Sequence, residues 1–150
     1  MDKPLYEQDF FRWSEQQAEA LRTAASMRVN APLDWENIAE EIESLGRSQR
    51  SELGNRILVI IEHLMKLQAS PATAPRRGWE ATVLRERANI RRLLKDSPSL
   101  RRVVPELVAD ALPDARRVVE RALTRRREEY RNLEVLNYTE DQVLGDWFPD

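Results

Sequence analysis

His63 is the only histidine in this 150-residue chain, and there is no cysteine. Thiolate nucleophiles, disulfides and any metal set built from several imidazoles are therefore excluded. Imidazole chemistry, if the protein performs any, must run through His63, which would act as a general base oriented by a carboxylate. Asp34 and Glu41 are the candidate carboxylates. If residues 34–46 and 49–69 form a helical hairpin turning near Arg47, His63 lies about 24 Å from the turn, Asp34 about 20 Å and Glu41 about 9 Å. Asp34 is then level with His63, whereas Glu41 falls about 15 Å short of it. No nucleophile is evident beside this pair, and the plainer expectation is a hydrogen-bonded structural histidine.

Glu36, Glu40, Glu41 and Glu43 form an acidic cluster of the kind that builds di-metal sites on facing helices. Such sites want Glu-x-x-His on one helix face, and no such pair occurs, so neither metal nor cofactor is expected. At 100° per residue Glu36, Glu40 and Glu43 point away from Ile38 and Ile42, while Glu41 borders the apolar stripe beside Leu45. The expectation is a solvated acidic face with Glu41 in a salt bridge. A third set is cationic: 14 arginines lie between Arg76 and Arg127, and Arg87, Arg91, Arg92 and Arg117 are its candidate anion contacts. An isoelectric point near 5.6 and the lack of a groove-reading motif speak against a dedicated nucleic-acid binder. Arg87 and Arg91 lie near the edge of a core and are expected to pair with Glu or Asp. Trp13, Trp35, Trp79 and Trp147 read as core anchors.

The net charge of −2 conceals a segregation. Residues 1–66 carry 8 bases and 12 acids, residues 67–133 carry 16 and 9, and residues 134–150 carry 0 and 5. Either the basic middle meets an anionic partner or the acidic ends neutralise it in the fold, and the second is expected. The N-terminal stretch MDKPLYEQDF has acids where a secretory leader would be apolar. The longest apolar run, Ile57 to Ile61, is far too short for a membrane span. A cytoplasmic protein with no membrane partner is the expectation.

The elements that would position these groups are helical. Apolar residues recur at three and four in every long segment, and only 4 glycines are present, which argues against a turn-rich β fold. A first helix is expected from about Leu5 to Ala25, with Tyr6, Phe10, Trp13, Gln17, Leu21 and Ala24 on one face. Asp34 caps a second, Gly46 fits the left-handed residue that ends it, and Ser48 can cap a third over 49–69. That third helix is the most hydrophobic, with Ile60 and Leu64 mid-face at the centre of a bundle. A fourth opens at Trp79 and stops before Pro98, and Ser99 can cap a short helix. Pro105 sits in the first turn of a fifth helix running to about Leu133, which Pro113 should kink. Thr139 and Gln142 make a capping box for a last short helix, and Trp147 and Phe148 are available to dock on the core. The expected architecture is all-α, a single-domain bundle of about five to six helices with the short C-terminal helix docked on it.

Laid out in this way, the chain resembles the bacterial domain-of-unknown-function family twenty-nine. The matching stretches are YEQDF at 6–10, ENIAEEIESLGRS at 36–48, EHLMKLQ at 62–68, WEATVLRERANI at 79–90, DSPSL at 96–100 and NYTEDQVLGDWFP at 137–149. The resemblance implies an all-helical fold and no activity, because the family has none assigned. Leu67 stands where the family usually carries Trp, Pro113 interrupts a long helix, and residues 124–137 depart from the usual segment. Taken together, the residues point first to a small protein-interaction or accessory module that binds a protein partner or self-associates. An enzyme using His63 with a nearby carboxylate, and nucleic-acid binding through the arginine face, are the alternatives.

Overall fold

The first helical stretch breaks at Asp9, because an aspartate stabilises a helix more as its N-cap than from its interior. In this computed structural model, which describes residues 2–127 and 129–150, α1 (Leu5–Gln8) and α2 (Phe10–Ser26) flank an extended Asp9. The Asp9 carboxylate accepts the Arg12 N–H at 3.0 Å. Ser14 and Ala18 form the buried face of α2, so Gln17, expected on that face, is exposed instead. Arg28, in the left-handed region at φ 51°, ends the helix.

The expected hairpin between 34–46 and 49–69 does not exist. A single helix, α3 (Trp35–Ala69), runs for 35 residues through Gly46 and Ser48. Asp34 caps it as expected, accepting the Asn37 N–H at 3.3 Å. Gly46 is buried mid-helix and has no positive φ. The absent Cβ explains the residue: one added there would collide with the Ser14 Oγ and come within 3.2 Å of Phe11. Close approach of α2, rather than a stop, is what this glycine permits. The fold continues with α4 (Arg76–Asp96), a 3-10 turn (Pro98–Val103), α5 (Val104–Arg125), a second 3-10 turn (Leu133–Val135) and α6 (Glu140–Leu144). No strand occurs among the described residues, and the fold is an all-α helical bundle. Pro105 sits in the first turn of α5, which stays helical through Pro113.

The chain divides into two compact units, residues 1–52 with 92–101 and residues 53–91 with 102–150, so that α3 and α4 each contribute to both. In the first, the apolar core holds Ala18, Ala39, Leu93, Leu94 and Leu100. The second has the larger core. Ile57, Ile60, Ile61, Leu64 and Met65 of α3 are completely buried, as are Val83 of α4 and Ala115 and Val119 of α5. Each of these side chains apart from Ala115 stabilises the fold by about 1.5–3 kcal/mol relative to exposure. The capping box of α6 forms as its sequence predicts, with Thr139 and Gln142 each bonding the other's backbone N–H.

Candidate functional site

His63 lies on α3, six residues before its end, in the second unit. It is half-buried, and its Nδ1 lies 2.7 Å from the Val59 carbonyl one turn back. A carbonyl can only accept, so Nδ1 carries the proton and Nε2 presents a lone pair. Burial pushes the imidazole below its ordinary pKa; the Val59 contact and Glu86 push it back up, and Lys66 adds to the lowering. On the same helix, burial raises the Glu62 carboxyl, with Lys66 opposing. Glu86 of α4 is ion-paired to Arg56 at 2.9 Å. Lys66 and Glu86 are thus the charged groups that act on His63.

The two candidate carboxylates are not among these neighbours. Asp34 precedes α3 in the first unit, where its second carboxylate oxygen accepts from the Asn37 amide at 2.6 Å. Glu41 is exposed on the same helix. The level Asp34–His63 register depended on a turn near Arg47, and α3 removes that turn. The acidic face also differs from its expected form. Arg22 of α2 reaches Glu43 at 2.5 Å and Glu40 at 3.5 Å, and Arg47 bonds Glu40. Arg22 also comes within 3.9 Å of Glu36, so Glu36, Glu40 and Glu43, the three acids placed on a solvated face, are the bridging members. Among the described residues no cluster of three His, Asp or Glu side chains could hold a metal ion.

Of the candidate anion contacts, Arg87 is the one the structure reassigns. It is 2% exposed and, among the described residues, pairs with no carboxylate at short range. Its Nε donates to the Val143 carbonyl at 2.9 Å, and its Nη2 donates to the carbonyls of Gln142 at 2.8 Å and Trp147 at 2.6 Å. The guanidinium also lies 4.8 Å from the Phe148 ring. Burial lowers its pKa, with Asp146 as the acid that counteracts this, yet a guanidinium remains charged at neutral pH. Arg87 is therefore the peg on which the C-terminal segment hangs. Docking of Trp147 and Phe148 on the bundle is as expected, but backbone carbonyls rather than acids make the contact. Arg116 acts similarly, donating to the Leu133 and Leu136 carbonyls at 3.2 and 3.0 Å. Arg91, Arg92 and Arg117 are exposed.

A second polar assembly, in the first unit, was not singled out from sequence. The Asp9 carboxylate accepts from the Ser99 N–H and hydroxyl, both at 2.8 Å. Ser97, fully buried, accepts the Phe11 N–H at 3.1 Å and donates to the Gln49 side-chain oxygen. The stretches DSPSL and YEQDF thereby hold each other. Its signal was a short run of small hydroxyl residues around Pro98, of which Ser99 alone was read, as a cap.

The class these observations define is a helical bundle whose distinctive polar residues bind its own backbone. The chain belongs to the family described as Domain of unknown function DUF29, whose model matches residues 5–148. It is similar to an alpha-helical protein of unknown function from Rhodospirillum rubrum, known from a crystal structure. That protein is 26% identical, with 99% of this chain and 94% of that one covered and a TM-score of 0.79. None of the curated proteins matches the chain.

Proposed function

We propose that the chain is a protein-interaction module, an accessory protein of the cytoplasm that engages a protein partner through the loop between α2 and α3. The observation carrying this reading is the display of apolar side chains on that loop: Met27 is 73% exposed, Val29 48% and Leu33 50%. Scattered exposed apolar residues are ordinary, but three within seven residues of one loop are a local concentration of exposed apolar side chains. The loop is also shaped before any partner arrives. Ala31 N–H bonds the Val29 carbonyl at 3.0 Å and Leu33 N–H bonds the Ala31 carbonyl at 2.8 Å. Two such turns in succession reduce the ordering cost of binding.

The internal use of the arginines favours a protein over a nucleic acid. Arg87 and Arg116 hold backbone carbonyls, Arg76 donates to the Leu67 carbonyl at 2.7 Å, and Arg22, Arg47 and Arg56 are ion-paired. Sedimentation velocity over a hundredfold concentration range tests whether the partner is a second copy. Self-association that Leu33→Asp abolishes would support the loop as the contact. Tight oligonucleotide binding that vanishes with salt and with Arg91→Glu, Arg92→Glu and Arg117→Glu would overturn the reading in favour of nucleic acid.

A further inference from the structure

A cleft in the first unit, separate from the apolar loop, has a chemistry of its own. Its cavity of about 310 Å³ is lined by Tyr6, Glu7, Phe10, Gln49 and Asp96. The Tyr6 and Phe10 rings meet at an interplanar angle of 68° with centroids 5.8 Å apart, making an aromatic corner. Trp13 backs it, 4.9 Å from Tyr6 at 79°. Glu7 and Asp96 are exposed carboxylates, and the lining contains no cationic side chain. Aromatic faces are electron-rich and attract cations, and nearby carboxylates reinforce that attraction while repelling anions.

The walls are held in place by bonds independent of any ligand. Asp9, beside Phe10, is bonded to Ser99, and Ser97, beside Asp96, is bonded to the Phe11 N–H and to Gln49. Those bonds bring Glu7 and Phe10 to the same rim as Asp96. With its oxygen engaged by Ser97, the Gln49 amide has N–H groups left to meet an acceptor on a ligand. We infer that this cleft binds an alkylammonium group, seated in the Tyr6–Phe10 corner between the Glu7 and Asp96 carboxylates. The same head group occurs on a free amine such as choline and on the side chain of a lysine or methylated lysine.

The test is a titration of the full chain followed by 1H–15N NMR. The probes are choline, N-acetyl-trimethyllysine methylamide, N-acetyl-lysine methylamide and the uncharged isostere of choline, 3,3-dimethylbutan-1-ol. Choline or one of the lysine probes should shift the amides of residues 6–10 and 96, saturating in the millimolar range. The uncharged isostere should bind at least roughly tenfold more weakly, since it lacks the charge that the rings and carboxylates attract. Glu7→Gln, at an exposed position, should weaken binding by roughly three- to tenfold with an unchanged melting temperature. Tyr6→Leu should weaken it by a similar factor while lowering the melting temperature by a few degrees, because the ring contacts with Phe10 and Trp13 are lost. Preference for choline over both lysine probes identifies a free amine as the ligand, and the reverse preference a side chain of another protein. Two results would overturn the inference: absence of shifts at these residues up to tens of millimolar probe, or equal binding of the uncharged isostere, which would make the cleft merely apolar.

Discussion

Replacing Arg87 with Met keeps an apolar stem in the core of the second unit and removes the guanidinium. Three hydrogen bonds are lost, at 2.9, 2.8 and 2.6 Å, together with the contact to the Phe148 ring. A hydrogen bond from a charged donor contributes about 1.5–3 kcal/mol net. The three share one donor group and do not add. The loss is also capped, because the carbonyls of Gln142, Val143 and Trp147 regain water if residues 139–148 detach. Leaving buried acceptors without their donor costs about 1–3 kcal/mol per group, and a total toward the upper end of that range is expected because the freed carbonyls can regain water and Met fills part of the space. Arg87→Lys keeps the charge but cannot span three carbonyls, so it should recover less than half of the difference. Urea melts followed by far-UV circular dichroism give the magnitude, and hydrogen exchange gives the location. The amides of residues 140–145 should lose protection in Arg87→Met well before those of 57–64. A loss below about 1 kcal/mol with those amides still protected would refute the peg role.

Further outcomes follow from the same packing. Leu64→Ala, at a completely buried position, should cost about 2–5 kcal/mol in denaturant melts; a cost under about 1 kcal/mol would make that stretch of α3 peripheral. Gly46→Ala should destabilise by about 1–3 kcal/mol despite alanine's better helix propensity, because its Cβ meets Ser14 and Phe11. Ser14→Ala should relieve more than half of that penalty when combined with it, and additive costs would contradict the contact. Burial holds His63 below its ordinary 6.5, so the unfolded chain takes up that proton first as pH falls. Its contribution is complete above 6.5 and is lost as pH drops toward the folded value, and His63→Gln should flatten the fall in stability that begins near pH 6.5 and continues below it. Glu62, raised by burial above 4.5, works in the opposite sense: its contribution is present below 4.5 and lost as pH rises. Glu62→Gln should therefore stabilise slightly at pH 7, by less than about 1 kcal/mol for a half-exposed group, and destabilisation there would contradict the assignment.

The apolar register of the sequence made most of the bundle legible. Ile57, Ile60, Ile61 and Leu64 are buried as their spacing requires, and the Thr139–Gln142 box and the Asp34 cap form. The hairpin failed because Gly46 carries a strong local stop signal, which a close approach of α2 at Ser14 overrides. The contrary signal was present. Ala39, Ile42, Gly46, Gln49, Leu53, Ile57, Ile60 and Leu64 keep three-and-four spacing without a reset, which only one continuous helix allows. Asp34 and His63 lost their shared level with that turn. For Arg87 the sequence supplied half an answer. Val83, Arg87, Ile90 and Leu94 share one stripe, so a buried cation was readable, but its partners are backbone carbonyls 55 to 60 residues away, and carbonyls leave no trace in residue identity. The Asp9–Ser99 and Ser97–Gln49 bonds were hidden because pairing of small polar residues 48 to 90 positions apart leaves no local pattern, and the local reading of Ser99 as a cap was already sufficient.

The central claim is that the α2–α3 loop is the surface that meets another protein. The most direct test places a photo-crosslinking amino acid at Val29 in the full chain, expressed in cells of its source, with a second version carrying it at Leu84, an exposed apolar position on α4. A discrete crosslinked protein species at position 29, absent from position 84 and lost when Leu33→Asp is added, is the predicted result. Crosslinks of equal yield and pattern at both positions, or a species at 29 that persists with Leu33→Asp, would contradict the account.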